Sequence, residues 1–150
     1  MTAPAVRVIG PGEPDPDLAA VYALRHEVFV IGQDVPEELE RDELDLSCEH
    51  AVCVLDGEVV GTGRLLPSGV IGRMAVAEGN RGRGFGAQVL AALEERALQR
   101  GHDGVELHAQ VHAAGFYDRA GYQPVGEVYL EAGIEHVTMR KRLRLGGSAG

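Results

Sequence analysis

The strongest constraint on the fold of this sequence is a run of eight residues, 79–86, that contains four glycines and leads into an amphipathic segment. The preceding residues, 70–77, are rich in apolar and β-branched side chains and predict a strand. After the run, apolar side chains recur at helical spacing, which predicts a helix. The chain is therefore expected to fold here as strand, glycine loop and helix, with the helix beginning where the glycines end.

This local geometry favours the binding of an anion. Glycines let the backbone approach a ligand and adopt positive φ, so that successive N–H groups point into one concavity. The helix N-terminus adds partial positive charge, and Arg81 and Arg83 add two full charges in a chain whose net charge is −9. The loop is predicted to hold a phosphate or pyrophosphate group.

Two other interpretations of the loop stay open at this point. Gly82, Gly84 and Ala87 match the loose dinucleotide-binding fingerprint, although 81 residues precede that match and the dinucleotide fold needs several further strand–helix units after it. The other interpretation is a glycine-rich turn that carries two solvated arginines.

The remaining elements predict an α/β chain of the mixed α+β type. The predicted order is a strand at 5–9, a helix at 16–31, a hairpin over 50–66 turned by Asp56-Gly57, the strand, loop and helix already described, a strand at 104–110, a short helix at 112–120, and strands at 122–130 and 134–143. A strand–helix–strand crossover between neighbours makes those strands parallel, so the sheet should be mixed. We expect one domain over residues 1–143 and a disordered tail at 144–150.

The composition argues against several classes of protein. With 14 basic and 23 acidic side chains, the chain lacks the net basic charge that nucleic-acid binding needs. No apolar run approaches the roughly 18 residues of a membrane span, and no secretory leader is visible. Cys48 and Cys53 are too few for a disulfide framework or a cysteine zinc site. We therefore expect a cytoplasmic protein, in which the acidic run 36–49 is a solvated segment.

Two motifs resemble the signatures of the GCN5-related N-acetyltransferase (GNAT) family. Met74-Ala-Val, followed by Arg81-Gly-Arg-Gly-Phe-Gly, resembles the strand and loop that hold the pyrophosphate of acyl-CoA. Ala113-x-x-Phe116-Tyr117-x-x-x-Gly121-Tyr122 resembles the second signature, and one helix and one strand separate the two motifs, as in the family.

A closer resemblance, over roughly residues 20–142, is to the ElaA-like branch of that family. It is carried by motifs at 24–36, 63–67, 71–76, 109–112, 127–129 and 133–137. One departure is Gly32, where the branch usually has Glu. Another concerns Gln110, which stands where GNAT members outside this branch often have an Asn that contacts the cofactor.

The resemblance implies a GNAT fold with a mostly antiparallel central sheet of six to seven strands, about four flanking helices, and a splayed parallel pair of strands that binds acyl-CoA. It implies that backbone groups of the strand before the loop bind the pantetheine arm and that loop N–H groups hold the pyrophosphate. The residues so assigned to the cofactor are Met74, Ala75, Val76, Arg81, Gly82, Arg83, Gly84, Phe85, Gly86, Ala87 and Gln110.

The resemblance also implies catalytic residues. Tyr117 matches the tyrosine that lies near the cofactor sulfur and is often the general acid, although a Phe116–Tyr117 pair is equally typical of a packed core. Glu127 and His136 match the ElaA-like pattern and are candidate general bases. The residues alone neither choose between these two nor exclude a hydrogen-bonded structural pair.

The implied activity is transfer of an acetyl group from acetyl-CoA to a primary amine of a small molecule or peptide, by direct attack in a ternary complex. The alternative is a domain of the same fold that binds acyl-CoA as a non-catalytic sensor or interaction module. The acidic run follows the first helix, where this fold often covers the acceptor, so a cationic amine is one candidate. We expect a monomer or homodimer and no metal, because His108 and His112 straddle a strand-to-helix junction without a third ligand.

Overall fold

The computed structural model describes residues 3–144, and its framework is one sheet of seven strands. The strands are β1 (Ala5–Ile9), β2 (Glu49–Leu55), β3 (Glu58–Leu65), β4 (Val70–Val76), β5 (Gly104–Gln110), β6 (Gln123–Glu131) and β7 (Ile134–Arg142). Their order across the sheet is β1-β2-β3-β4-β5-β7-β6, and β4 and β5 form the parallel pair among antiparallel neighbours. The mixed sheet predicted from the element order is confirmed. Residues 145–150 of the predicted tail lie outside the described residues.

Within residues 3–144, four α-helices flank the sheet, as expected. They are α1 (Leu18–Arg25), α2 (Glu37–Glu40), α3 (Phe85–Gln99) and α4 (Ala114–Arg119). The helix predicted over 16–31 is present from Leu18 onward, but its second half, His26–Ile31, is a wider π-helix rather than an α-helix. None of those six residues is buried, so the apolar packing that stabilises a regular helix in α1 ends at Arg25.

Alternation along the strands divides the sheet into two faces. On one face α3 covers a core that includes Cys53, Leu107 and Met139. On the other face α1 packs against β3 and β4, beside a smaller cluster of Ile9, Val21 and Val52. Where that second face continues over β5 and β7, its side chains are polar: Glu106, His108, Gln110, His136, Thr138 and Arg140. The polar half-face adjoins the parallel pair, which places it next to the cleft described below.

Within residues 3–144, none of the helices combines the length and apolar character that crossing a membrane requires.

Candidate active site

The two parallel strands at the centre of the sheet separate soon after they meet. β4 and β5 pair at Val70 with Glu106 and at Ile71 with Leu107, and their pairing ends there. Beyond this point β4 stays paired with β3 on its other side, as far as Val76. An unpaired strand edge presents free N–H and C=O groups, so the resulting cleft can pair with an extended ligand that carries amides.

Met74, Ala75 and Val76 lie on this separated stretch of β4. The side chains of Met74 and Val76 pack against the core under α3, and Ala75 is buried. What Met74 and Val76 offer to the cleft is therefore their backbone, which is the role that the resemblance implies for them, whereas the carbonyl oxygen of Ala75 is directed towards Gly61 of β3.

The glycine loop follows β4 and starts α3. Gly82 and Gly84 have φ of +76° and +82°, and a Cβ added at either would meet no protein atom within 4 Å. Glycine is needed at both positions for the backbone conformation, and both face open space. No side chain caps the start of α3.

The exposed start of α3 is a source of free N–H groups. Its first intrahelical bond runs from the N–H of Gln88 to the carbonyl oxygen of Gly84, at 3.2 Å. The N–H groups of Phe85, Gly86 and Ala87 therefore have no partner within the helix. Fifteen residues of α3 add their dipole behind them, so the loop and first turn have the geometry and partial charge that would suit an anion.

The two loop arginines are exposed and are arranged differently. Arg81 Nε donates a hydrogen bond to the carbonyl oxygen of Val76 at 3.1 Å, which ties the loop to the end of β4. The guanidinium of Arg83 lies over the ring of Phe85, 5.0 Å from its centroid. Phe85 itself is buried in the core, so the group that it presents to a ligand is its N–H.

Tyr117 lies on α4, which packs against the start of α3. A Cβ added at Gly86 would lie 3.5 Å from the ring of Phe116, which shows how closely the two helices approach. Tyr117 is 8% exposed and makes edge-to-face contacts with Phe116 and Tyr122. Burial raises its pKa to about 12. At neutral pH its phenol therefore holds its proton and is a donor.

His136 lies on β7 directly opposite Gln110 of β5. Its Nδ1 lies 2.7 Å from the carbonyl oxygen of Ile134. Because a carbonyl oxygen can only accept, Nδ1 carries the proton, and Nε2 of the neutral ring keeps a lone pair. The ring is buried and stacks on Tyr129, with centroids 5.9 Å apart.

The two candidate bases are in different surroundings. Glu127 is exposed and lies in an irregular stretch of β6, where the register shifts between Val125 and Tyr129. Among the described residues, Glu131 has the carboxylate that lies within ion-pair distance of His136. Its oxygen is 3.8 Å from Nε2 of that ring. Sequence reasoning missed Glu131. The Ala132-Gly133 turn between β6 and β7 is the signal that could have placed it near His136.

Gln110 is the centre of a short hydrogen-bonded chain at the end of β5. Its amide nitrogen donates to the side-chain oxygen of Gln33 at 2.7 Å, and its own oxygen accepts from Nε2 of His112 at 2.5 Å. The amide predicted to contact the cofactor is thus held by two protein partners. Gln33, which follows the π-helical turn, links the helical layer to β5.

The histidines considered as zinc ligands have protein partners. His108 Nε2 lies 3.2 Å from a carboxylate oxygen of Glu106, and His112 is occupied by Gln110. Between residues 3 and 144 there is no group of three or more histidine, cysteine or acidic side chains arranged to hold a metal ion.

The acidic run 36–49 is predicted to be solvated, but several of its acidic side chains are buried. Glu40, Asp45 and Glu49 are buried. Arg25, 1% exposed, bonds Glu40 at 2.8 Å and Asp45 at 2.7 Å, and Arg64 bonds Asp42 at 2.7 Å and Asp45 at 2.9 Å. The expectation of a solvated run is wrong for these buried acids, whose charge is neutralised inside the protein.

The pKa shifts in this network have opposing causes. Burial alone would lower the pKa of Arg25, but its hydrogen bonds to Asp45 and Glu40 reverse this and raise it. Burial alone would raise the pKa of Asp45, but Arg25 and Arg64 hold it below its usual value. The hydrogen bond from Arg64 lowers the pKa of Asp42 as well. Arg25, Asp42 and Asp45 are therefore charged at neutral pH.

Known proteins resemble the chain over nearly its whole length. A family model described as an acetyltransferase (GNAT) domain matches residues 14–143. YjcF of Bacillus subtilis strain 168, named an uncharacterized N-acetyltransferase, is 41% identical over 129 residues, which are 83% of this chain and 91% of that protein. The crystal structure of an acyl-CoA N-acyltransferase from Pseudomonas aeruginosa has a TM-score of 0.83 and 35% identity, covering 93% of this chain and 99% of that chain. The crystal structure of Escherichia coli ElaA has a TM-score of 0.82 and 32% identity, with the same coverage of 93% and 99%.

Proposed function

Because the chain belongs to the GNAT acetyltransferase family and is an acyltransferase enzyme, we propose that it moves the acetyl group of acetyl-CoA to a primary amine. The acceptor is an amine of a small molecule or a peptide, and it attacks the thioester directly in a ternary complex. The likeness to ElaA confirms the ElaA-like branch that the sequence motifs indicate.

One observation carries the choice of an acyl-CoA: the free edge of β4 runs directly into the glycine loop and the uncapped start of α3. A ligand that fits both parts needs an extended arm with amides for the strand edge and a pyrophosphate for the helix N-terminus. Coenzyme A has both groups. A nicotinamide dinucleotide has the pyrophosphate but lacks such an arm, so this geometry argues against the dinucleotide interpretation.

Acyl transfer from a thioester to an amine has four requirements: a held carbonyl, a hydrogen-bond donor to its oxygen, a neutral amine and a proton for the departing thiolate. We assign the first two to the backbone of β4 near Val76. The N–H groups of residues 82–87 and the two loop arginines hold the pyrophosphate. Tyr117 supplies the proton, since its phenol is a hydrogen-bond donor at neutral pH.

We assign deprotonation of the amine to His136. The bond from Nδ1 to Ile134 fixes the tautomer, which leaves Nε2 as the atom that accepts a proton. Glu131, 3.8 Å from Nε2, would stabilise the imidazolium that forms. Glu127, exposed and without such a partner among the described residues, is the second candidate.

The test is an acceptor screen with acetyl-CoA, in which release of free thiol is measured with polyamines, amino sugars, amino acids and peptide N-termini. Turnover with one class supports the proposal. In His136→Gln, kcat should then fall by roughly 10²–10⁴-fold, the usual contribution of a general base. A loss of that size in Glu127→Gln, with His136→Gln unimpaired, would move the assignment to Glu127.

The alternative, a non-catalytic acyl-CoA sensor of the same fold, makes a different prediction. Acetyl-CoA would then bind and raise the melting temperature, while no acceptor released thiol. Stabilisation by NAD and not by CoA would contradict both functions. The retained Tyr117 and the orientation of His136 support an enzyme, because a sensor needs neither a proton donor nor a base.

A further inference from the structure

The side chain of Arg73 joins the cleft to the segment that covers it. The register between β3 and β4 shows why this residue is unusual: Thr62 pairs with Ala75 and Arg64 with Gly72, so three steps along β4 match two along β3. The extra residue forms a bulge. Arg73 lies in this bulge and has φ of +51°, a conformation that residues other than glycine seldom adopt.

The bulge lies where the parallel pair ends. The last pair of β4 and β5 joins Ile71 and Leu107, two residues before Arg73. This is the closed end of the cleft, and the bulge redirects the backbone of β4 there. The strained residue thus belongs to the stretch whose backbone is proposed to hold the acyl group.

The Arg73 guanidinium reaches from the bulge to the segment 33–46, here called the connector. Its Nε donates to the carbonyl oxygen of Glu40 at 2.9 Å, and Nη2 donates to that of Leu39 at 3.0 Å and to a carboxylate oxygen of Asp42 at 3.3 Å. The two carbonyls lie at the end of α2, where the last turn of a helix lacks intrahelical donors and carries partial negative charge. A planar guanidinium can donate hydrogen bonds to several carbonyl and carboxylate oxygens at once.

The connector is attached on both sides of the cleft. Its first residue, Gln33, accepts from Gln110 of β5. Its middle is held from β4 by Arg73, and Arg25 of α1 bonds the carbonyl and carboxylate oxygens of Glu40 there as well. Its end is held by Arg25 and Arg64 through Asp45. The connector therefore passes over β5, β4 and β3 on the face opposite α3, which makes it the wall against which an acceptor would lie.

We propose that Arg73 is a positioning residue for acyl transfer, which fixes the connector, and with it the acceptor amine, relative to the bulge of β4. This inference rests on the proposed function for the role of the acceptor, but the attachment itself is a property of the fold. Binding of acetyl-CoA at the loop and α3 does not depend on it.

Arg73→Gly separates the attachment from the backbone strain, since glycine adopts the same φ freely and lacks the guanidinium. Hydrogen exchange should accelerate at the amides of Leu39, Glu40 and Arg41, because this turn loses the bonds from Arg73 and keeps only those from Arg25 to Glu40. The amides of Ser47 and Cys48 should exchange as in the wild type, because Arg25 and Arg64 still hold Asp45. Arg73→Lys should be intermediate, since an ammonium cannot reproduce the planar fork.

Kinetics supply the second measurement. The acceptor KM should rise and kcat should fall in Arg73→Gly, with a combined loss up to the roughly 10²-fold that a misplacement of about 1 Å can cause. The KM for acetyl-CoA should stay near the wild-type value. Arg7→Gln is the matched control, because it removes three hydrogen bonds, to Asp15 and Asp17, at the far edge of the sheet.

The proposal would be overturned if the amides of residues 39–41 exchanged hydrogen in Arg73→Gly at the wild-type rate. It would also be overturned if the KM for the acceptor and the KM for acetyl-CoA rose equally, because the loss would then come from a change in the bulge and not from the connector. If Arg73→Gly fails to fold, Arg73→Lys decides by the same measurements. Exchange is measured without turnover. If no acceptor is acetylated, the proposed function fails, while the attachment by Arg73 is still decided by exchange.

Discussion

Replacing Tyr117 by phenylalanine tests general acid catalysis most directly. Burial raises the pKa of Tyr117 from 10.0 to about 12, so at pH 9 about one phenol in a thousand is ionised, against about one in ten for an ordinary tyrosine. The proton donor is then fully present from pH 7 to pH 10. We expect kcat to fall by roughly 10²–10⁴-fold in Tyr117→Phe across this whole range, while acetyl-CoA binding changes little.

The pH range of that experiment follows from the sign of the shift. The folded-state pKa lies above the unfolded value, so the contribution of Tyr117 to stability is complete below pH 10 and is lost as the pH rises through 12. Assays below pH 10 therefore avoid unfolding caused by this group.

Tyr122→Phe is the matched control, because Tyr122 belongs to the same buried aromatic group and its hydroxyl bonds Glu94 at 2.8 Å. Its loss should lower the free energy of unfolding by about 1–3 kcal/mol without changing the chemical step. The assay is a single-turnover measurement with a verified acceptor, since product release can limit kcat. A Tyr117→Phe rate equal to the wild-type rate would refute the reasoning and leave Tyr117 as a packing residue.

Three further predictions concern ligand binding, stability and pH. Gly84→Val should weaken CoA binding, measured by titration, because Gly84 lies in the loop that is proposed to hold the pyrophosphate. Gly57→Val is the control: Gly57 has the same φ of +82° and the same open surroundings, so this variant should have the same backbone strain and bind CoA normally. Equal CoA affinities of the two variants would argue against the loop as the binding site. Asp45→Asn should lower the free energy of unfolding, measured in urea, by about 3–5 kcal/mol, because it leaves Arg25 and Arg64 buried with less counter-charge. Asp17→Asn, at the exposed ion pair with Arg7, should lower it by less than about 1 kcal/mol. Similar losses in the two variants would contradict the different contributions assigned to the buried and the exposed pair. Burial lowers the pKa of His50, so the unfolded state binds more protons than the folded state as the pH falls. The contribution of His50 to stability should therefore be complete above about pH 6.5 and decline below it. The melting temperature of His50→Gln, measured against pH, should lack that decline.

Local chemistry made much of the fold predictable. The bounds of β5 at 104–110 and of β1 at 5–9 agree with their predicted ranges, and Asp56-Gly57 forms the turn between β2 and β3. These features depend on side-chain periodicity and on turn residues, which are properties of neighbouring positions. The glycine loop is of the same kind, because the need for positive φ at Gly82 and Gly84 is visible in the residue types themselves.

Other features depend on partners far apart in the chain. The acidic run looks solvated in the sequence, yet Glu40 and Asp45 are buried by Arg25, 15 and 20 residues away. No periodicity encodes that pairing, because its cost and benefit arise only when the chain is folded and water is removed. The partner of His136 is a similar case: the hairpin register brings Glu131, and not the sequence candidate Glu127, to its Nε2.

The sequence by itself therefore determined the order of elements, the position of the glycine loop and the family, since motifs and turn residues act locally. The tertiary structure alone decided how far β4 and β5 separate, which tautomer His136 adopts, and how Arg73 attaches the connector across 31 to 34 residues of chain. These are consequences of register and burial, and both are set by the packing of the whole sheet rather than by any short stretch of residues.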